Sequence, residues 1–426
     1  MSIEKKWKNE ITEQFIQDYL KSNYRIVGKN KHSAIKPCHW LEQRLMTGRD
    51  NQNCYKGIFG VKSNLCLQNT PSVPFCNHQC VFCWRDLQSS LGSTFNVVPD
   101  EPKELINEMI RHQKNLIQNH LPLKRYIDNY HNIIEILKYL FKNNKSESIQ
   151  SISRIIDASK TKIDRAMVLL KNMRFLDYIE GDINHYCIKK SIKRQIKSDM
   201  DIEPLVNKGI TTLREIEMVH KESMNPKHAA ISLDGEPFLY PLLSDFVAEF
   251  KKRNMTTFVV SNGTFPEKIE SMEHFPSQLY ISLSASNEKT YKKICRPMLK
   301  NSWEKLMKTI DLLGSLSCRT VIRITAVKNL NLKEIFIKEY LDIIKRGKPN
   351  FLDIKGFTLQ AKALLIKDRL KSSEDLDFFF PEFEDIKEFA EKISNLGNFP
   401  ILYKNERSRD VLLGVNWDKK KLEISN

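Results

Sequence analysis

Cys76-Asn77-His78-Gln79-Cys80-Val81-Phe82-Cys83 places three thiols within eight residues. Cysteines spaced C-x3-C-x2-C on one short loop can hold three of the four irons of a 4Fe–4S cluster, leaving the fourth open to a small molecule. The competing reading is a structural zinc loop or scattered buried thiols. Zinc loops ordinarily pair C-x2-C units into a complete set of four ligands, and only three thiols cluster here. Further along, His228 to Pro237 reads HAAISLDGEP, an apolar strand running into Gly235-Glu236-Pro237. Glycine there permits close backbone approach. Alone, the tripeptide is an ordinary strand-ending turn; downstream of the thiol loop it gains weight.

Outward from these two stretches, apolar runs alternate with amphipathic segments from about residue 226, as parallel β/α folds require. Candidate strands are HAAISL (228–233), TTFVVS (256–261), QLYISLSA (278–285), TVIRITAV (320–327) and FLDIKGFTL (351–359). Helical patterns such as LLSDFVAEFKKR and WEKLMKTIDLLGSL lie between them. One more strand before Cys76 brings the count to about six. The thiol loop, with aromatic Phe82 just before its third cysteine, and the downstream Gly235-Glu236-Pro237 together resemble the radical S-adenosylmethionine (SAM) superfamily.

That resemblance implies an α/β fold, a partial (β/α)6 TIM-like barrel. Its site would lie at the C-terminal ends of the strands. Cys76, Cys80 and Cys83 would bind a cluster whose open iron holds the amino and carboxylate groups of SAM. Gly235-Glu236-Pro237 would receive the methionine amino group. Phe82, Ser261, Asn262 and Ser284 would complete the SAM pocket. One electron from the cluster would cleave the C–S bond and release a 5′-deoxyadenosyl radical.

Composition bounds the partners. Lys and Arg number 68 against 52 Asp and Glu, a net charge of +16 over 426 residues, and the pI is about 9.2. Such a balance points to a polyanion, nucleic acid first, although Lys/Asn/Ile-rich chains also drift basic through genome composition. Nine cysteines outside any paired framework suit a reducing cytosol and metal binding. The start MSIEKKWKNEITEQF is polar and carries no signal-peptide pattern. No apolar run reaches membrane length. A cytoplasmic, soluble protein with no membrane contact is expected.

The first crossover is interrupted. Helix EPKELINEMIRHQKNLIQ should lead straight to the second strand, yet about 110 residues separate them. Within the gap, IDNYHNIIEILKYLFKNNK reads as an amphipathic helix. SIQSISRIIDAS and KTKIDRAMVLLKNMRFL read as a helix-turn-helix, and LDYIEGDINHYCIKK as a ribbon turning near Gly181-Asp182. Three helices and a hairpin resemble a winged helix. Lys160, Lys162, Arg165, Lys189, Lys190, Lys193 and Arg194 flank it. Nucleic-acid contact and a protein-docking or merely decorative role are both open. The expected organisation is an N-terminal segment 1–120 with both thiol sets, an inserted winged-helix-like domain 124–200, and the rest of the barrel with a C-terminal extension, 207–426.

Cys38, Cys54 and Cys66 lie 16 and 12 residues apart upstream of the loop. Such spacing alone does not make ligands, since buried cysteines are common. The surrounding sequence, however, is similar to the tRNA 4-demethylwyosine synthases: KHSAIKPCHWLEQRL, CYKGIFGVKSNLCLQNTPSVPFCNHQCVFCWR, NPKHAAISLDGEPFLYP, FVVSNGTFP, QLYISLSASNEKTYKKICRPML and TVIRITAV. By that resemblance Cys38, Cys54 and Cys66 would hold a second 4Fe–4S cluster with an open iron. Lys56 would form a Schiff base with pyruvate. The family reaction condenses N1-methylguanosine at position 37 of phenylalanine tRNA, in the anticodon loop, with two carbons of pyruvate. A lysine acting as imine nucleophile needs a lowered pKa, which a desolvated or cationic site supplies. No flavodoxin-like segment is present, so a separate flavodoxin- or ferredoxin-type donor and a monomeric enzyme are expected.

The sequence departs from the family pattern in places. Asp234 stands where a small or apolar residue is usual, Ser284 and Ser286 where Asp and Pro are expected, and LQAKALLIKDRL (359–370) replaces a segment that helps shape the substrate site. Cys295 and Cys318 read as packing residues, and Cys187 has no evident role. The main reading is a SAM- and pyruvate-dependent tRNA-modifying lyase. Its rivals are a radical SAM enzyme acting on another RNA base or product, and an iron–sulfur redox-sensing DNA-binding regulator. A sensor would need neither Gly235-Glu236-Pro237 nor Lys56.

Overall fold

The structure, a computed structural model, describes residues 11–48, 54–88, 90–118, 129–143, 146–179, 182–419 and 422. It divides into two compact units. Met1–Cys38, Gln52–Gln113 and Pro226–Asn426 form the first; His39–Asn51 and Lys114–Asn225 form the second. Among the described residues no helix is long and apolar enough to cross a membrane.

The first unit is built on a ten-stranded sheet. Its strands are β1 (Arg25–Val27), β2 (Ser33–Ile35), β3 (Cys66–Thr70), β4 (His228–Ile231), β5 (Thr256–Ser261), β6 (Gln278–Ser282), β7 (Arg319–Ala326), β8 (Phe351–Gly356), β9 (Ile401–Asn405) and β10 (Asp410–Gly414). They lie in the order β1-β2-β3-β4-β5-β6-β7-β8-β10-β9. From β3 to β8 every neighbouring pair is parallel. Antiparallel pairs extend both edges. Helices Leu243–Lys252, Ser302–Leu312 and Ile337–Gly347 make crossovers between successive parallel strands.

Parallel strands are covered on both faces and so read as nearly continuous apolar runs. Ala229, Ile231, Phe258, Leu279, Tyr280, Ile322, Ile324, Leu352 and Ile354 are all buried. On one face Phe258, Tyr280, Val321, Phe351 and Leu412 pack with Phe59 and Val61. That contact seats the segment carrying Cys54 and Lys56 against the sheet.

Three expected strands stop short: at Ile231 rather than 233, at Ser282 rather than 285 and at Gly356 rather than 359. The apolar pattern runs on, but the residues beyond are the loops at the strands' C-terminal ends. Ser284 therefore lies in such a loop, where its carbonyl accepts from Asn331 Nδ2 at 2.9 Å. The edge strands β1, β2, β9 and β10 are additions that the sequence reading did not contain.

The second unit runs helix Tyr130–Asn143, strand Glu147–Ser148, helices Ile149–Ile155 and Lys160–Asn172, then strands Leu176–Ile179 and Asp182–Ile188. The three strands form one antiparallel sheet with Asp182–Ile188 central. The turn expected at Gly181 lies outside the described residues. Ser159 caps the helix Lys160–Asn172, its Oγ accepting from the Lys162 amide. The unit is wider than 124–200. Ile202, Leu205, Val206, Leu213 and Ile216, from helix Ile202–Ser223, enter the same apolar core as Ile133, Leu137, Ile163 and Leu170. Helix His39–Thr47 also packs here, with the Leu45 carbonyl 2.9 Å from His220 Nε2.

Candidate active site

Both chemical motifs sit beyond the C-terminal ends of parallel strands, the thiol loop after β3 and Gly235-Glu236-Pro237 after β4. The thiol loop is held on several sides by backbone bonds. Cys76 N donates to Gly92 O at 3.0 Å, Val81 N to Ile294 O at 2.9 Å and Gln79 N to Cys295 O at 3.2 Å. Asn77 is buried, donates to Thr264 Oγ1 at 2.7 Å and accepts from Asn262 Nδ2 at 2.5 Å. Burial holds the His78 imidazole neutral, its pKa pushed down to about 3, and its Nε2 lies 2.7 Å from the Tyr291 hydroxyl. Phe82 is half-buried.

Gly235 takes φ +74, and a Cβ there would sit 2.0 Å from the Ser72 carbonyl oxygen. Only glycine fits such a left-handed turn pressed against backbone. Glu236 N donates to Phe75 O at 2.8 Å, and Ser72 Oγ donates to Glu236 O at 2.9 Å. The turn and the segment leading to Cys76 are therefore one knot. The Glu236 carboxylate accepts from Ser261 Oγ (2.8 Å), the Asn262 amide (2.8 Å) and the Phe238 amide (3.1 Å). Burial still lifts its pKa to about 7 against those bonds. Glu236, Ser261 and Asn262 are thus brought together.

Around Cys54 and Cys66 the geometry is equally close. Lys56 is buried, and its Nζ donates to Cys66 Sγ at 3.4 Å. The ammonium lies 5.4 Å from the ring centres of both Tyr55 and Phe258. Burial, the largest influence, pulls the Lys56 pKa down, but Cys66, Tyr55, Cys54 and Cys38 together raise it well above the ordinary value. This reverses the expected lowering. The cause is the neighbouring thiols and the Tyr55 phenol, whose anionic forms favour the ammonium. Tyr55 leads into a buried polar row on the same sheet face. The Arg323 guanidinium covers Tyr55 and Tyr280 at 4.2 and 4.3 Å and binds Asp353 Oδ2 through Nε (2.8 Å) and Nη2 (2.6 Å). Lys355 donates to Ser408 O at 2.5 Å, with Asp410 Oδ1 3.6 Å away.

Neither cysteine triad is gathered tightly enough for a single tetrahedral ion. A tetrahedral zinc with bonds of about 2.3 Å needs its sulfurs about 3.8 Å apart. Among the described residues the group of three ligating atoms within 4.8 Å of one another is His78, Cys80 and Cys295, which is neither cysteine triad. Each set also faces a buried cation. Arg85 is 3 % exposed; its Nη2 donates to His78 O at 3.3 Å, and its Nη1 has no hydrogen-bond partner among the described residues. Burial opposes its charge, but Cys76 and Cys83 hold its pKa up. A buried guanidinium held charged by Cys76 and Cys83 suits an anionic iron–thiolate group. Cys295 is buried, and its side-chain hydrogen bond with Cys80 raises the Cys80 pKa. Cys187 Sγ donates to Asp177 O at 3.8 Å. Cys318 is a thiol pushed up to about 12 by burial.

A sequence model of the radical SAM superfamily matches residues 185–342, a span that includes β4 to β7 but begins downstream of the thiol loop. A protein of Pyrococcus abyssi, an S-adenosyl-L-methionine-dependent tRNA 4-demethylwyosine synthase, is 31% identical over 400 residues, covering 93% of this chain and 86% of that one. The chain belongs to the 4-demethylwyosine synthase family. A Pyrococcus horikoshii synthase is 30% identical over the same share of each chain. A solved structure described as TYW1 with a lysine-pyruvate adduct bound shares the fold, with TM-score 0.61 and 24% identity over 95% of this chain and 97% of that one. As a radical SAM synthase the protein uses SAM and an iron–sulfur cluster.

Asp234, expected from the sequence to depart from the synthase pattern, accepts from Tyr24 OH at 2.8 Å and Trp84 Nε1 at 2.9 Å. Ser286, another such position, donates to Glu339 Oε2 at 2.5 Å. Arg85, Arg323, Asp353 and Lys355 were missed by the sequence reading. Charged residues at alternate positions in TVIRITAV and FLDIKG were the available signal for the last three, because alternate positions share one sheet face.

Proposed function

We propose that this synthase converts N1-methylguanosine-37 of phenylalanine tRNA into 4-demethylwyosine, using SAM at one 4Fe–4S cluster and pyruvate at a second. The observation that carries this reading is Lys56: a buried amine bonded to Cys66 Sγ, with three thiols bearing on its charge. A related structure, by its own description, holds a lysine–pyruvate adduct.

Cys76, Cys80 and Cys83 would hold the SAM cluster, and Cys38, Cys54 and Cys66 the other. When bound, the first supplies the one-electron reduction of SAM that makes an unreactive N-methyl group available for hydrogen abstraction. The protein's own residues bind and orient. Gly235 lets its turn lie against backbone, Glu236 offers its carboxylate to the methionine ammonium, and Ser261 and Asn262 fix that carboxylate. Phe82 and Ser284 border the same pocket. Lys56 presents its amine to the ketone carbon of pyruvate from a water-poor setting walled by Tyr55 and Phe258. The electron arrives from a separate flavodoxin- or ferredoxin-type carrier, and the enzyme works as a monomer. The second unit supplies phosphate contacts to the tRNA through the exposed residues Lys160, Lys162 and Arg165.

The test is an anaerobic assay with N1-methylguanosine-containing tRNA and labelled pyruvate, read by nucleoside mass spectrometry and by borohydride trapping. A labelled tricyclic base and an adduct on Lys56 are expected. In Lys56→Ala the base should vanish while SAM cleavage persists. An adduct on another lysine, or full base formation in Lys56→Ala, overturns the assignment.

A further inference from the structure

Residues 359–370, read in the sequence as a departure from the family pattern, fold back onto the thiol loop. After β8 the segment forms a short helical turn, Ala361–Leu365, and a helix, Ile366–Leu370. Lys362 N donates to Trp84 O at 3.1 Å. Arg369 then reaches the loop itself. Its Nη1 donates to Cys83 O at 2.6 Å and Val81 O at 3.0 Å, with Cys80 O at 3.5 Å, and its Nη2 donates to Arg85 O at 3.2 Å. One side chain thus gathers four carbonyls from six consecutive residues. Burial works against its charge, whereas Cys83, Cys80 and Asp86 each favour the charged guanidinium.

We propose that Arg369 is a positioning residue for the cluster held by Cys76, Cys80 and Cys83, fixing the spacing of the second and third cysteines and placing a fixed positive charge beside them. Carbonyl dipoles crowded to one side of a tight loop repel one another. A planar fork of five donors relieves that repulsion in a way a single ammonium cannot. With its carbonyls tied outward, the loop keeps a fixed backbone for the two thiols. The charge stabilises the more anionic, reduced cluster and so raises its reduction potential. The proposal rests on the cluster's presence at these cysteines and not on the identity of the tRNA product.

The test uses the full-length chain with Cys38, Cys54 and Cys66 changed to Ala, reconstituted anaerobically, so that only this cluster reports. Arg369→Gln and Arg369→Lys are compared with the parent for the rate of iron stripping by a chelator and for midpoint potential. Arg369→Gln should lose iron about 10-fold faster or more and titrate at a more negative potential. Arg369→Lys keeps the charge without the fork, and should hold the parent potential while still losing iron fast. Circular dichroism of the iron-free proteins shows whether either variant has failed to fold. If Arg369→Gln misfolds, Arg369→Lys decides: parent-like stripping overturns the clamp. Parent-like stripping and potential in a folded Arg369→Gln overturn the whole proposal. Because neither readout involves tRNA, a wrong product assignment would leave these results unchanged.

Discussion

Glu236 is a carboxyl whose ionisation the fold holds back, lifted to about 7 by burial although three donors point at it. If it meets the ammonium of SAM, the charged carboxylate is the binding form. Below about 7 the carboxyl is neutral and the pairing weak; above it the carboxylate forms and the pairing strengthens. SAM affinity of the cluster-loaded protein should therefore rise between about pH 5.5 and 7.5, below the range where an α-amino group itself titrates. Glu236→Gln should bind weakly at every pH in that window. Equilibrium binding at a series of pH values measures it, and an affinity flat with pH in the parent removes Glu236 from the pairing. Gly235 beside it allows a sharper structural check. Alanine there meets left-handed strain of roughly 1–2 kcal/mol and also a clash with the Ser72 carbonyl. Denaturant unfolding should show a loss at least that large, together with a displaced thiol loop that retains less iron. An unchanged midpoint would mean the turn can open.

Among the elements, the segment from Cys54 to Val61 depends on Phe59, which is buried against Phe351 with ring centres 5.4 Å apart and is covered by the Arg319 guanidinium at 4.4 Å. Phe59→Ala should cost about 3–5 kcal/mol. It should also free the segment that holds Cys54 and Lys56. With two 4Fe–4S clusters the intact protein should load about eight irons, and Phe59→Ala about four, from the loop of Cys76. Iron quantitation after reconstitution decides; eight irons in the variant would uncouple the packing from the second cluster. The elements also show what a sequence can display. The six parallel strands were legible because burial on both faces writes them as apolar runs, and the thiol loop because its ligands are local. Three-residue strands such as Arg25–Val27 carry too little pattern to be seen. Arg369 and the Arg323–Asp353 pair depend on contacts across 284 to 289 and 30 positions of chain, which no local pattern encodes. Lys56 was legible only through family resemblance, since its partner Cys66 lies on another element.

Taken whole, the molecule carries a second compact unit with eleven Lys and Arg against five Asp and Glu between residues 149 and 197. Lys160, Lys162 and Arg165 occupy the exposed side of the helix whose other side buries Ile163, Ala166, Met167 and Leu170. Changing all three to Glu should weaken tRNA binding and lower the salt slope of log affinity by about three if each meets a phosphate. Removing residues 124–200 instead would expose Ile202, Leu205 and Val206, so charge reversal is the cleaner experiment. Fluorescence anisotropy at several salt concentrations reads both quantities, and an unchanged slope would make this a protein-docking face. The interrupted crossover also sets a clock. β3 is made early, yet its parallel partner β4 follows about 160 residues later, and the Gly235 turn that knots the thiol loop comes later still. At about 5–20 residues per second, a ribosome leaves the nascent cysteines without that support for roughly ten to thirty seconds. Iron delivered in that interval would meet loose thiols, so a cluster on Cys76, Cys80 and Cys83 is expected to assemble only after β4 has been made.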